Sequence, residues 1–167
     1  MKNPICDLMY LQMEKEERNN PIVNYKRDGR APIPIKESTS RAMSANKGKS
    51  TKPEIAFRKL LFEKGYRGYR VNYQKLPGTP DIVYLKHRIA IFINGCYWHR
   101  CPYCNLASPK THEEFWKDKF LKNIERDRKN YDVLISMGWK VMIIWECEIK
   151  NDIINCLDRV ILLRNED

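Results

Sequence analysis

Nowhere does the chain hold an apolar run approaching the roughly 20 residues needed to cross a bilayer, and this argues against a membrane protein. The N-terminus lacks a secretory pattern as well: Lys2 is followed by further charges by position 14, so no signal peptide is expected. There is no internal repeat. Acidic residues are in deficit, 21 against 31 Lys and Arg, which leaves a net charge of +10. Such an excess favours a polyanionic partner, nucleic acid being the commonest, although many small proteins share it. A cytosolic chain is expected from these features, and in the cytosol paired disulfides are rare and clustered cysteines more often hold metal. At 167 residues the chain is expected to form one domain, large enough to bury roughly 68–70% of its unfolded surface.

Residues 1 to 42 differ from the rest. The polar stretch Glu14 to Asn20, with Pro21, Pro32 and Pro34, interrupts any helix longer than Leu8 to Glu17. The segment is expected to be an extension, partly disordered or draped over the core, with the compact domain spanning 43–167. Thr51-Lys52-Pro53-Glu54 has the form of a capping box opening a helix that stops near Gly65. Tyr69, Val71 and Tyr73 alternate with polar residues, the pattern of a half-buried strand. Asp81 to Leu85 and Arg88 to Ile93 predict an antiparallel pair turning at Lys86-His87. Thr111 to Met137 predicts the longest helix, with a second capping box at Thr111 and Glu114 and an end at Gly138. The apolar run within Lys140 to Glu146 predicts a buried strand, and Asn151 to Arg164 an amphipathic closing helix. The order helix, three strands, helix, strand, helix is that of an α/β sandwich around a small mixed sheet.

What the chain does have in abundance is ligand-forming residues in one place. Cys96-Tyr97-Trp98-His99-Arg100-Cys101-Pro102-Tyr103-Cys104 follows the apolar run Ile89 to Ile93 directly. A packed core has no use for three thiols and a histidine within nine residues. Zinc prefers four soft ligands in a tetrahedron, and thiolates select it over magnesium. Cys147, at the end of the predicted buried strand, is the best fourth ligand for Cys96, Cys101 and Cys104. Cys156, among Ile153, Ile154 and Leu157, reads as core. Four cysteines close the tetrahedron and leave His99 free to act.

Upstream, Pro77-Gly78-Thr79-Pro80-Asp81 puts one carboxylate at the start of a strand. Alone, such an acid is usually a turn residue. With a backbone oxygen from Ile93 on the neighbouring strand and two or three waters, Asp81 would suffice for magnesium, a hard cation suited to phosphate chemistry. His99 can take a proton from water or give one to a leaving oxygen, and such a group needs a carboxylate on its other nitrogen. Asn123-Ile124-Glu125-Arg126-Asp127 offers candidates, with Asp127 preferred. The competing reading of Glu125, Arg126 and Asp127 is a solvated helix face. Tyr97 and Trp98 would ordinarily be core, yet adjacent residues of an extended segment cannot both point inward. An exposed aromatic there suggests a wedge between bases.

From about Met43 to Glu148 the chain resembles the very short patch repair (Vsr) mismatch endonucleases. The matching segments are Thr51 to Glu54, Leu76 to Asp81, Gly95 to His99, Lys122 to Asp127, and Gly138-Trp139 through Trp145-Glu146-Cys147. The resemblance implies a restriction-endonuclease-like fold with a structural zinc. It also implies magnesium-dependent nicking of double-stranded DNA, as a monomer, 5′ to the thymine of a T:G mismatch left by deamination of 5-methylcytosine. On that resemblance Asp81 is the metal-binding aspartate, His99 the catalytic histidine, Asp127 its carboxylate partner and Glu54 a glutamate near the metal-bound waters. Cys96, Cys101, Cys104 and Cys147 fall at the zinc ligands, Tyr97 and Trp98 at the aromatic wedge, and Met43 where a methionine enters the duplex from the other groove. A functional link to a cytosine-5 DNA methyltransferase and to mismatch-repair proteins in a bacterial cytosol is also implied.

There are departures from the pattern. Asn94 stands where a histidine or acid often precedes the Gly-Cys-aromatic-Trp-His run, and a neutral amide is better suited to orienting water than to binding metal. Glu54 is explained equally by the capping box. Two rival readings follow: a restriction or defence nuclease on the same fold that cuts undamaged DNA, and a catalytically weak module that only binds the mismatch.

Overall fold

The computed structural model describes residues 41, 45–46 and 48–166. Apart from Arg41, the expected extension, with Cys6, the Leu8 to Glu17 helix and the boundary at 42, lies outside the described residues, as does Met43. Among the described residues there are three helices and four strands, in the expected order: α1 (Lys52–Glu63), β1 (Arg70–Val71), β2 (Ile82–Tyr84), β3 (Ile89–Asn94), α2 (Glu113–Ser136), β4 (Lys140–Trp145) and α3 (Glu146–Asn165). The sheet order is β1-β2-β3-β4. β2 runs antiparallel to β1 and β3, whereas β4 lies parallel to β3, with Asn94 opposite Trp145 at the end. Among the described residues no helix is long and apolar enough to cross a membrane.

The alternation of side chains along β3 builds both halves of the core. Ile89, Ile91 and Ile93 face a cluster with Phe57 and Leu61 of α1 and Ile149, Cys156, Leu157 and Val160 of α3. Ala90 and Phe92 face the other way, against Tyr131 and Leu134 of α2. Both faces of β3 are therefore covered, which is why its sequence is continuously apolar rather than alternating. Asn94 continues the even-numbered side, and its amide nitrogen donates to the Tyr131 hydroxyl of α2 at 3.0 Å.

Three expectations about element boundaries need correction. The Tyr69 to Tyr73 strand shrinks to two exposed residues, because Asn72 adopts a left-handed conformation (φ 47°) and breaks the extension. The second capping box does not form. His112, itself left-handed, is the N-cap of α2, with no side-chain hydrogen bond to the helix. α3 starts at Glu146, directly after β4, five residues before its expected start. Asp152 leaves helical geometry (φ −154°, ψ 82°), and its Oδ1 accepts from the Asn155 N–H at 2.9 Å. The sequence signal at Asn151 thus marks a kink where a second helical segment is recapped.

Candidate active site and cysteine cluster

At the end of the sheet where β3 finishes, α1, α2 and the turns before β2 and after β3 enclose a cavity of about 970 Å³. Glu54, Asp81, Ile93, Asn94, His99 and Asp127 all line it. The turn before β2 delivers Asp81. Its Oδ2 accepts the Ile93 backbone N–H at 2.7 Å, fixing the carboxylate against the last residues of β3. Gly78 allows that turn to sit close to α2. Its φ is +72°, and a Cβ there would lie 3.0 Å from both Asn130 Nδ2 and Phe92 Cε1.

Burial pushes the Asp81 carboxyl up from its ordinary 3.8 to about 6. The Ile93 N–H opposes that shift, the Glu54 charge adds to it, and Arg58 and His99 pull it back. Glu54, only 4% exposed, caps α1 as the capping box predicts: its carboxylate accepts from the Ser50 and Thr51 N–H groups and from the Thr51 hydroxyl. It therefore serves the helix terminus and faces the cavity at once. Two carboxylates and an amide in one buried pocket form a donor set that suits a hard cation.

His99 sits in the turn after β3, with its N–H bonded to the Gly95 carbonyl at 3.1 Å. Its Nδ1 is hydrogen-bonded to Asp127 Oδ2. With Nδ1 engaged, proton exchange falls to Nε2. Asp127 is not on a solvated face, since its side chain is 14% exposed, whereas Glu125 is exposed. Asn94 is buried, held by Tyr131 as described. Sequence reasoning missed Asn130 and Tyr131, and gave Asn123 no role beyond its place in the candidate segment. Asn123, Asp127 and Tyr131 recur every four residues along α2, so a polar stripe at helical spacing was the signal available.

Residues 97 to 100 form turns rather than strand, so the alternation argument for Tyr97 and Trp98 does not apply. Both are half-buried. Their rings meet edge to face at 5.1 Å, Tyr97 also meets Phe120 at 5.4 Å, and Trp98 meets Trp116 at 6.1 Å. Trp98 also lines the cavity.

Beside this cavity the sulfurs of Cys96, Cys101, Cys104 and Cys147 all lie within 4.8 Å of one another, forming a candidate metal site. Parallel pairing of β4 with β3 carries Cys147 there, and its N–H donates to Cys96 Sγ at 3.3 Å. Burial pushes the Cys96 thiol up to about 12 and Cys101 in the same direction, while hydrogen bonding, foremost from Cys147, pulls Cys104 down. Four thiols this close cannot all ionise without a cation among them. Cys156 is core, as expected, at 1% exposed.

Known proteins resemble the chain over two thirds or more of its length. The family model described as DNA mismatch endonuclease Vsr matches residues 33–105, a span that includes Glu54, Asp81, His99 and three of the four clustered cysteines. The type II nicking enzyme V.NmeAIP of Neisseria meningitidis is 46% identical over 114 residues, 67% of this chain and 79% of that protein. V.NaeI of Lentzea aerocolonigenes, another type II nicking enzyme, is 41% identical over 74% of this chain and 76% of its own length. The DNA mismatch endonuclease Vsr of Escherichia coli is 39% identical over 72% of this chain and 76% of its own. The chain belongs to the DNA mismatch endonuclease Vsr family, a family of DNA endonucleases.

Proposed function

We propose that the protein nicks one strand of double-stranded DNA 5′ to the thymine of a T:G mismatch, in a magnesium-dependent reaction on a restriction-endonuclease-like fold. The observation that carries this reading is the His99–Asp127 pair facing the same cavity as the buried Asp81 carboxylate. Asp81, with the Ile93 carbonyl and waters, would hold the magnesium ion, which when bound supplies positive charge at the scissile phosphate. Glu54 stands where it can accept hydrogen bonds from water in the cavity, and Asn94 where it can orient one. Asp127, bonded to Nδ1, holds His99 in one tautomer and orientation. Nε2 then takes the proton of the attacking water, or gives one to the leaving oxygen as the P–O bond breaks. The four-cysteine cluster would hold zinc in a structural role, tying the turn that carries His99 to the start of α3. Trp98, with Tyr97 behind it, would press between bases at the mismatch.

The net charge of +10 suits a duplex backbone, and the relative from Escherichia coli carries mismatch endonuclease in its name. The test is a nicking assay on T:G, other mismatched and fully matched duplexes with magnesium. The expected result is one nick, 5′ to the mismatched thymine. Equal cutting of matched duplex would point instead to a restriction or defence nuclease. No cleavage with magnesium or manganese would leave a mismatch-binding module.

A further inference from the structure

Asp127 has two carboxylate oxygens, and each has its own partner. Oδ2 takes His99. Oδ1 takes Nε and Nη2 of Arg126 at 3.2 and 2.9 Å. The remaining nitrogen of the same guanidinium, Nη1, donates to Asn123 Oδ1 at 3.2 Å. Asn123 is buried, and its Nδ2 donates to the Trp98 carbonyl at 3.1 Å. Because His99 follows Trp98 in the chain, these contacts close a ring that runs from Arg126 through Asp127, His99, Trp98 and Asn123 back to Arg126.

We propose that Arg126 is a positioning residue: its guanidinium fixes Asp127 against His99 and, through Asn123, fixes the turn that carries Trp98 and His99. The inference rests on the reading of His99 as the proton-transfer group. An aspartate carboxylate rotates easily about its last torsion, so a single hydrogen bond to His99 leaves it free to swing. A second anchor on Oδ1 removes that freedom. Arginine suits the task because its planar fork reaches two acceptors with three nitrogens at once, and lysine has only one nitrogen to offer. Stability alone does not account for the arrangement. The Arg126 side chain is 57% exposed, and ion pairs so exposed contribute little to folding.

The competing role for an exposed arginine at the cavity rim is a direct phosphate contact, and the two roles separate experimentally. Arg126→Ala, Arg126→Gln and Arg126→Lys are compared on a T:G duplex with magnesium under single-turnover conditions. The salt dependence of binding is measured alongside. In the DNA-free protein, the His99 Nδ1–H proton is followed by NMR. A positioning role slows saturated nicking on the order of 10–100-fold in all three variants, the scale found for groups that orient a functional ligand. Affinity and salt slope stay unchanged, and the Nδ1–H signal is lost or broadened.

A phosphate contact does the opposite: Lys restores the rate, whereas Ala weakens binding and lowers the salt slope by about one. Either that pattern or an unchanged Nδ1–H signal in Arg126→Ala overturns the proposal. If the unmodified protein fails to nick T:G duplex at all, the functional reading falls. The imidazole signal, which needs no DNA, still decides the role of Arg126.

Discussion

Cys101 Sγ and Cys147 Sγ lie 3.6 Å apart although 46 positions separate them in the chain. That is too long for a disulfide, whose sulfurs are about 2.05 Å apart. It is close to the separation of about 3.8 Å that a tetrahedron of zinc–sulfur bonds of about 2.3 Å produces.

The first prediction concerns Cys147→Ala. Structural zinc sites contribute on the order of 10–16 kcal/mol of apparent binding free energy, and this cluster joins β3 to α3. The variant should therefore lose zinc and melt well below the unmodified protein, with solubility reduced. Metal quantification and a thermal melt check it. A full zinc complement, or an unchanged melting temperature, would remove the zinc reading.

Asp81 is held in a charged state that its surroundings disfavour. Its raised value means that the folded protein binds the proton more tightly than the unfolded chain does. Folding of the metal-free protein therefore weakens as pH rises from about 4 to about 6. Asp81→Asn removes that cost, of order 1–3 kcal/mol given about 1.4 kcal/mol per pKa unit. The metal-free variant should melt higher than its parent at pH 8 and the same at pH 4, while nicking is lost and mismatch binding kept. Thermal melts at the two pH values and a binding assay test this together. Loss of binding along with cleavage would make Asp81 a structural residue.

His99 and Asp127 should behave as one unit. General acid–base catalysis is worth about 10²–10⁴-fold, so His99→Ala and Asp127→Ala should each slow single-turnover nicking by on the order of 10²-fold or more. Once His99 is gone, Asp127 has nothing left to orient, and the double variant should be little worse than either single one. Multiplicative losses would separate the two residues.

How far the sequence could be read follows from which signals are local. The β2–β3 hairpin, the α1 capping box and the four cysteines were legible because turn chemistry, caps and ligand spacing are written in adjacent residues. The kink at Asp152 hid the true start of α3, because the helix signal at Asn151 belongs to its second segment. The Asn94–Tyr131 and Asn123–Trp98 contacts join residues 37 and 25 positions apart. They appear only when β3 is packed against α2, so no local pattern announces them. Asp127 was reachable from the sequence through the need of His99 for a carboxylate. Arg126, beside it, looked like one more solvated charge.

The half-buried aromatic pair gives the last prediction. Unstacking a base step costs a few kcal/mol, and less at a mispaired step than at a matched one, so a wedge favours T:G over C:G. Trp98 lines the cavity yet packs on Tyr97 and Trp116, so both a wedge and a core role have a physical basis. A fully buried tryptophan cut to alanine loses roughly 3–5 kcal/mol. Half-buried Trp98 should lose distinctly less, and the folded variant should discriminate poorly between T:G and C:G duplexes. Melting temperature and the ratio of nicking rates, measured on one preparation of Trp98→Ala, decide the matter. A large drop in melting temperature with the rate ratio intact would return Trp98 to the core.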